Sequence, residues 1–321
     1  MTIAPGSGAE TDPAGRLPSV AADRIAWTRI LADVAVVTVT PFSGDLRTVD
    51  LHGLEQNLER LIRGGAQLLV AGGNTGEFAA LSPDEAVETV QVHVRVARGR
   101  ARVIAGIGYR LDQAIELGRA SIEAGADGLM VHHPIHPYAS EAGLISYYAA
   151  IADALPGVPL ILYVRGPQLT ADGARRLGAI ESIVGVKMGQ PDPERFAAFI
   201  GAAPELAWVC GVAEAWAVPF WRAGAIGFTS GLANLAPERS LEVLAALKAG
   251  DLGQAEALVD RLRPIEALRA RRGDANNVAV IKAAMDLVGL AGGGLRPPLS
   301  ALDPADHAEL IRILDQLELL S

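Results

Sequence analysis

The sequence predicts an α/β protein, a (β/α)8 TIM barrel with a C-terminal helical region. Short apolar or β-branched segments alternate with helical segments of roughly ten to seventeen residues. Each short segment is apolar almost throughout, which is typical of parallel strands whose sheet is covered by helices. Eight such segments over about 200 residues favour a closed barrel over an open, doubly wound sheet.

The chain divides into three predicted regions. Residues 1–22 are rich in Gly, Pro, Ala, Ser and Asp, and we expect a flexible N-terminal extension there. Residues 23–250 are predicted to form the barrel, and residues 251–321 a C-terminal helical region that caps the barrel or mediates assembly. The candidate strands are Ala35–Thr40, Gln67–Val70, Arg102–Ala105, Gly128–Val131, Pro159–Tyr163, Ile183–Lys187, Leu206–Cys210 and Ala225–Ser230.

Start and stop signals mark helices between the strands. Asp50 precedes a segment that ends at Gly64, and Ser82 is a capping residue followed by a first-turn proline. The predicted barrel helices are Leu51–Arg63, one opening at Ser82, Leu111–Ala124, Ser140–Ala154, one from Asp192 to about Ala202, Ala213–Ala223 and Pro237–Gly250. Three more without intervening strands follow, Leu252–Arg269, Asn277–Leu290 and Asp303–Leu319.

Composition excludes several classes of protein. Apolar residues make up 50% of the 321 residues and charged residues 20%, so a sizeable core is possible. The net charge of −9 argues against a nucleic-acid partner, because no basic field exists to collect phosphates. The single cysteine, Cys210, permits no internal disulfide, and no segment has transmembrane length or the layout of a signal peptide. We therefore expect a cytoplasmic protein without a membrane partner.

Lys187 stands out because lysine is rare in this chain. Only Lys187, Lys248 and Lys282 occur beside 25 arginines. Lys248 lies at a predicted helix end and Lys282 in a later amphipathic helix, whereas Lys187 ends a predicted buried strand. A desolvated lysine can lose its proton and attack a carbonyl carbon, which arginine cannot do. The alternative is a strand-end lysine whose ammonium group reaches solvent.

Polar side chains follow several predicted strands at their carboxyl ends, where barrels of this class have their active sites. Tyr163 ends strand 5, Lys187 ends strand 6, and a Gly73-Asn74-Thr75-Gly76 turn follows strand 2. An amine, a phenol, hydroxyls and turn amides in one mouth suit chemistry on a 2-oxo acid. The lysine would condense with the carbonyl, the phenol would move protons, and the turn would hold the carboxylate.

Five segments together resemble the dihydrodipicolinate synthase / N-acetylneuraminate lyase family, whose members are class I aldolase-type barrels. The resemblance extends over roughly residues 30–319, with order and spacing kept throughout. The segments are Gly73–Glu77, Ile161–Tyr163, Gly185–Lys187, Gly231–Pro237 and the tail that runs from Ile281 to Leu299.

The resemblance implies a lyase that forms a Schiff base with pyruvate or a related 2-oxo acid. Lys187 would be the Schiff-base lysine and Tyr163 the proton-transfer phenol. Thr75, with the Gly73 and Asn74 turn, would bind the carboxylate, and Thr229 would line the site. No cofactor and no metal would be needed, because the covalent imine on Lys187 itself activates the substrate. A homo-oligomer, a dimer or a tetramer, is also implied.

Three positions depart from the synthase pattern. Asn74 replaces a relay hydroxyl, Ile135-His136 replaces a tyrosine that a neighbouring subunit supplies, and Gln168 replaces an arginine that grips the second substrate. Gly72–Phe78 and Tyr163–Arg165 are instead similar to the branch that dehydrates 5-dehydro-4-deoxyglucarate, although Gly166-Pro167 departs from that branch. An aldolase or synthase, a dehydratase of a keto-deoxy sugar acid, and a non-catalytic regulator that binds a 2-oxo acid all stay open.

Other polar residues near the strand ends have more than one interpretation. His132, His133 and His136 could bind a metal of a metal-dependent aldolase, but no acidic ligand adjoins them. His136 is predicted instead to contact substrate or to donate a proton. Arg165, like Arg110, is a candidate for a substrate's distal carboxylate, with surface ion pairs as the alternative. Glu77 either supports the turn or takes part in catalysis.

Overall fold

The structure, a computed structural model, describes residues 22–320. The prediction of a flexible extension therefore concerns residues outside the described part, apart from Ala22. Eight parallel strands close into a barrel in sequence order, because β8 pairs back with β1. This confirms the predicted fold class. The strands are β1 (Val34–Val37), β2 (Leu68–Ala71), β3 (Arg102–Ile107), β4 (Gly128–Val131), β5 (Leu160–Val164), β6 (Ile183–Met188), β7 (Ala207–Cys210) and β8 (Gly227–Ser230).

Helices surround the barrel and continue beyond it. Their starts follow the side-chain caps expected from the sequence: the carboxylate of Asp50 accepts from Gly53 N, and Ser82 forms a reciprocal capping box with Glu85. The helices are α1 (Arg24–Leu31), α2 (Leu51–Arg63), α3 (Pro83–Ala97), α4 (Leu111–Glu123), α5 (Glu141–Ala154), α6 (Ala171–Gly178), α7 (Pro193–Ala202), α8 (Ala217–Arg222), α9 (Pro237–Lys248), α10 (Leu252–Arg269), α11 (Arg271–Asp274), α12 (Asn277–Leu287) and α13 (Pro304–Gln316).

The strands separate two apolar cores. Their outward side chains pack against the helices in one large cluster. Their inward side chains, with Val37, Val70 and Met130 among them, fill the barrel interior. Because each strand is buried on both faces, nearly every position in it is apolar, which explains the continuous runs in the sequence.

Helix α1, which the sequence analysis did not predict, closes the end of the barrel away from the strands' carboxyl ends. Trp27 and Leu31 of this helix are buried in the barrel's interior cluster. The guanidinium group of Arg24 donates to the carbonyl groups of Gly178, Ile180 and Ile183, which fixes the helix to the chain around β6. The interior therefore opens toward solvent at the other end.

Two other helices differ from prediction. Helix α6 was not predicted, because its eight residues hold two glycines and few apolar side chains. The predicted helix Ala213–Ala223 is divided into a 3₁₀ turn (Glu214–Trp216) and α8, since the backbone of Trp216 leaves the helical region at φ −110° and ψ 1°.

The C-terminal helices pack against one another and against the barrel. Helix α10 contacts α9 and α12, and α13 contacts α10 and α12. In α11, Arg272 and Asp274 have left-handed backbones, so this segment is a tight turn rather than a regular helix. Within residues 22–320, none of the helices combines the length and the apolar character of a transmembrane span.

Candidate active site

A cavity of about 780 Å³ opens at the carboxyl ends of the strands. Its floor is formed by residues of the barrel, and one wall by residues of the C-terminal helical region. Six of the eight site residues predicted from the sequence line it: Lys187, Tyr163, Thr75, Asn74, Arg165 and Thr229.

Lys187 and Tyr163 are adjacent because their strands are adjacent. They are direct partners in the β5–β6 register, and Lys187 Nζ lies 4.2 Å from the centre of the Tyr163 ring. Both side chains are buried, with 5% and 6% of their surface exposed. Gly189 leaves room for the phenol, since a Cβ at this position would lie 2.4 Å from Tyr163 Cε2. The sequence thus brings an amine and a phenol together on the barrel floor.

The environment of Lys187 favours the neutral amine. Within the described residues, its Nζ has no hydrogen bond and no ion pair. Burial, aided by the nearby charge of Arg165, lowers the pKa of Lys187 to about 8. Behind it, Cys210 is fully buried, and burial raises the pKa of its thiol to about 12. The neutral fraction of the Lys187 amine is therefore available as a nucleophile near physiological pH.

The Tyr163 phenol remains protonated over the same pH range. Burial raises its pKa, and the positive charge of Arg165 partly opposes this rise. The side-chain amide of Asn74 donates to the phenol oxygen at 3.4 Å. The sequence analysis predicted Asn74 at the position of a relay hydroxyl; its amide group donates a hydrogen bond here and cannot pass on a proton.

The turn that follows β2 presents hydrogen-bond donors to the cavity. Gly76 N and Glu77 N bond back to Gly73 O and Asn74 O. The amides of Asn74 and Thr75, by contrast, have no acceptor among residues 22–320. Successive free amides of this kind, beside the buried Thr75 hydroxyl, form an anion-binding concavity. Gly73 does not line the cavity but is required by packing, since a Cβ there would lie 2.3 Å from Val37 Cγ1.

Buried contacts hold this turn from behind. Glu77 forms an ion pair with Lys282 of α12, at 2.6 Å, and both side chains are almost fully buried. This finding favours the supporting role for Glu77 and places Lys282 on a buried face of its helix. His132 donates from Nε2 to Gly72 O at 2.9 Å and stacks on Phe78. Burial lowers the pKa of His132 to about 4, so this ring is neutral.

The C-terminal helical region contributes polar groups that the sequence analysis did not assign to the site. Arg269 is buried, forms an ion pair with Glu266 at 2.6 Å, and approaches the Gly231 backbone. Across the mouth, Arg165 Nη2 lies 3.7 Å from Asp274 Oδ2, and both side chains are half exposed. The cavity-lining residues missed from the sequence include Arg263, Glu266, Arg269, Asp274, Asn277 and Arg296.

Glu214 is another titratable group near the cavity that the sequence analysis missed. It is the first residue of the 3₁₀ turn after β7, its side chain is fully buried, and Ser240 Oγ donates to its Oε1. Oε2 has no partner in the described part of the chain. Burial, together with the nearby charge of Glu266, raises the pKa of Glu214 to about 7. Glu214 does not line the cavity.

The structure does not bring the remaining predicted groups to the cavity of this single chain. His136 is exposed on the loop after β4, where its Nδ1 accepts from Tyr138 N. Arg110 is exposed and forms an ion pair with Asp112. The three histidines do not converge, and no group of His, Cys, Asp or Glu side chains within residues 22–320 could hold a metal ion.

Comparisons with known proteins agree with this fold. The model of the dihydrodipicolinate synthetase family matches residues 30–317. The crystal structure of dihydrodipicolinate synthase from Oceanobacillus iheyensis superposes with a TM-score of 0.89 at 38% identity, covering 92% of this chain and 99% of that one.

Two curated relatives represent different branches. The 4-hydroxy-tetrahydrodipicolinate synthase of Methanoculleus marisnigri is 33% identical over 284 residues, which is 86% of this chain and 96% of the relative. A Streptomyces coelicolor protein named "Probable 5-dehydro-4-deoxyglucarate dehydratase 2" is 37% identical over 262 residues, 80% of each chain. With a family match across most of its length, this chain belongs to the dihydrodipicolinate synthetase family, whose enzymes are lyases that act through a lysine Schiff base.

Proposed function

We propose that Lys187 forms the Schiff base and that the substrate is a 2-oxo acid, with pyruvate the first candidate. The observation that carries this proposal is the buried Lys187 amine, which has a lowered pKa and lies 4.2 Å from the Tyr163 ring. Lys282, also buried, is held in an ion pair, and Lys248 is exposed, so Lys187 is the lysine whose surroundings suit a nucleophile.

The reaction begins with attack of the neutral Lys187 amine on C2 of the 2-oxo acid. A carbon–nitrogen bond forms, and the carbonyl oxygen takes up a proton to give a carbinolamine. Loss of one water then gives the imine. Tyr163 is the group placed to deliver and remove these protons. The amides of Asn74 and Thr75, with the Thr75 hydroxyl, would hold the substrate carboxylate.

The imine withdraws electrons from the neighbouring carbon atoms. A bond to C3 can then break, because the electron pair it leaves is delocalised into the imine. If a proton leaves, the resulting enamine attacks a second carbonyl compound; if a carbon–carbon bond breaks, the reaction is an aldol cleavage. Both outcomes use the same Lys187 and Tyr163, and neither needs a cofactor.

Borohydride reduction tests this assignment. Reduction in the presence of pyruvate converts the imine into a stable secondary amine, and peptide mass mapping locates it. We expect the adduct on Lys187, and none in Lys187→Arg, which keeps the charge but not the nucleophile. Lys248→Arg is the matched control and should be labelled like the wild type. An adduct retained by Lys187→Arg, or no adduct with any of several 2-oxo acids, would refute the proposal.

A second candidate function is dehydration of a keto-deoxy sugar acid. It is favoured by Arg165, which lines the cavity with its guanidinium group half exposed and suits a distal carboxylate. The 37% identity with the dehydratase relative supports it further. We expect 5-dehydro-4-deoxyglucarate to lose water in this site, and Arg165→Gln to raise KM for it by more than it raises KM for pyruvate.

Product analysis separates the candidates. Formation of 4-hydroxy-tetrahydrodipicolinate identifies the synthase, and loss of water from 5-dehydro-4-deoxyglucarate identifies the dehydratase. A protein that forms the imine but turns over neither substrate would instead be a 2-oxo-acid-binding regulator. Activity abolished by a chelator would favour a metal-dependent aldolase.

We also propose a homo-oligomer, supported by the exposed apolar side chains of Ile135 and Tyr138 beside His136. In such an assembly His136 would approach a neighbouring subunit's cavity. A cytoplasmic location is proposed too, since the one thiol, Cys210, is unpaired.

A further inference from the structure

We propose that Lys282 is a positioning residue for the carboxylate-binding turn, and that the C-terminal helical region thereby sets the affinity for 2-oxo acids. This inference rests on the proposed function, since it assigns the Asn74–Thr75 turn to the substrate carboxylate. Lys282 does not line the cavity, so it would act on the substrate indirectly, through Glu77.

The contacts of Lys282 use all three of its N–H donors. Nζ donates to Glu77 Oε1 at 2.6 Å, to Thr40 O at 3.0 Å and to Gly294 O at 2.5 Å. Only 1% of the residue's surface is exposed. One side chain thus connects the segments that follow β1 and β2 with the loop between α12 and α13. Such a fully satisfied buried cation has a fixed position.

The contacts of Glu77 carry this constraint into the turn. Its second oxygen, Oε2, accepts from Arg296 N at 3.1 Å, so both carboxylate oxygens bond to the C-terminal region. The backbone of Glu77 is left-handed, at φ 54°, which is unfavourable for a residue with a Cβ and persists only where surrounding contacts impose it. Glu77 N in turn donates to Asn74 O. This hydrogen bond links Glu77 to the part of the turn that presents the free amides of Asn74 and Thr75.

Loss of this ion pair should therefore affect binding more than chemistry. Without this ion pair, the contacts that impose the left-handed backbone of Glu77 would be weakened in every variant, and a single variant would also leave an unpaired buried charge, so the turn would shift. The amides of Asn74 and Thr75 would shift with it. Lys187 and Tyr163 lie on β6 and β5, and the pairing of these strands does not involve the turn. The turn reaches the phenol through the long hydrogen bond from Asn74, at 3.4 Å, so the Lys187 amine would stay in place.

The experiment compares Lys282→Met, Glu77→Gln and the double variant Lys282→Met/Glu77→Gln, which leaves no unpaired buried charge. Lys248→Met is the matched control, because it removes an exposed lysine at the end of α9. Each variant is checked for folding by circular dichroism and thermal melting. Borohydride trapping on Lys187 is then measured against pyruvate concentration and against pH.

We expect the half-saturating pyruvate concentration to rise by about tenfold to a hundredfold in the folded Lys282 and Glu77 variants, as displaced binding groups would cause. The pH at which trapping is half-maximal should stay unchanged, and Lys248→Met should behave like the wild type. A merely structural ion pair would lower the melting temperature of these variants without changing the half-saturating concentration.

Wild-type half-saturation in the folded double variant would overturn the inference. If the double variant does not fold, the nearly isosteric Glu77→Gln variant decides by the same measurement. Failure of the proposed function is distinguishable, because the wild type itself would then form no adduct.

Discussion

At the scale of the residue, the reactive pair depends on one register position. Tyr163 and Lys187 face each other because β5 and β6 pair in parallel. A side chain one position away on either strand would point to the opposite face of the sheet. The same pairing also buries both groups, and burial moves the pKa of the amine down and that of the phenol up. The pairing of β5 with β6 therefore determines both where the amine and the phenol lie and the direction in which their pKa values shift.

The lowered pKa of Lys187 predicts a pH dependence. Because only the neutral amine attacks, imine formation with pyruvate should rise about tenfold per pH unit at low pH. It should level off near pH 8, the pKa of the amine. In Arg165→Gln the midpoint should move to higher pH, since removal of a nearby cation favours the ammonium form. Stopped-flow kinetics of imine formation across pH 5–10 checks both, and a midpoint that moves to lower pH contradicts this account.

Glu214 predicts a pH dependence of stability. Its pKa is raised to about 7 in the folded chain, so between its ordinary value and pH 7 the folded state holds a proton that the unfolded state has lost. Its contribution is therefore fully present below the ordinary carboxyl pKa and is lost as pH rises through 7.

In Glu214→Gln this contribution should be absent. The free energy of unfolding of the wild type, relative to the variant, should decline by at most about 1.4 kcal/mol per pH unit. Urea denaturation of both proteins at pH 5 and pH 7.5 measures the difference. A constant offset between the two proteins would show that Glu214 does not titrate in this range.

At the scale of the element, α1 should be a major source of stability that has no part in chemistry. Trp27 is fully buried at the closed end of the barrel. We expect Trp27→Ala to lower the free energy of unfolding by about 3–5 kcal/mol, as for other large buried aromatic residues. Imine formation by the folded fraction should be unchanged. Ile25→Ala, on the same helix but exposed, should stay within about 0.5 kcal/mol of the wild type in the same urea titration.

The strands and helices could be predicted wherever the sequence signal for them is local. All eight strands were found because burial on both faces makes each one a continuous apolar run. Helix α2 was predicted with its observed bounds, since Asp50 caps it and Gly64 ends it. Helix α1 was missed because its stability comes from insertion into the barrel, a tertiary contact that eight residues cannot signal.

The site was predictable only in part, for a similar reason. The rule that strand ends form the mouth identified Lys187, Tyr163 and Thr75. It could not identify Arg269 or Asn277, because their helices reach the cavity through long-range packing. A signal for Lys282 did exist, since it is one of only three lysines in an arginine-rich chain.

At the scale of the whole molecule, the loop after β4 is the clearest candidate for a subunit contact. Ile135 and Tyr138 have 84% and 88% of their surface exposed, unusual for large apolar side chains. We expect the double variant Ile135→Asp/Tyr138→Asp to shift the particle mass toward the 33.5 kDa of one chain, by size-exclusion chromatography with light scattering. Ile25→Asp, at the barrel's other end, is the control. An unchanged mass would exclude this loop as a necessary contact.

The C-terminal helical region packs against the barrel and also contributes residues to the candidate site. Through Lys282 and Arg296 it contacts the turn after β2, and through Asp274 it reaches the mouth. A truncation after α9 would remove one wall of the cavity together with these contacts. The region is therefore part of the candidate active site.

Cys210 has a practical consequence for labelling. It is the only cysteine in the sequence, it is fully buried, and a thiol with a pKa of about 12 scarcely reacts with maleimides. The native thiol therefore would not compete with an introduced cysteine for a dye. A cysteine introduced as Tyr138→Cys would be the sole reactive thiol, so fluorescence quenching between dyes could report directly whether two loops meet in solution.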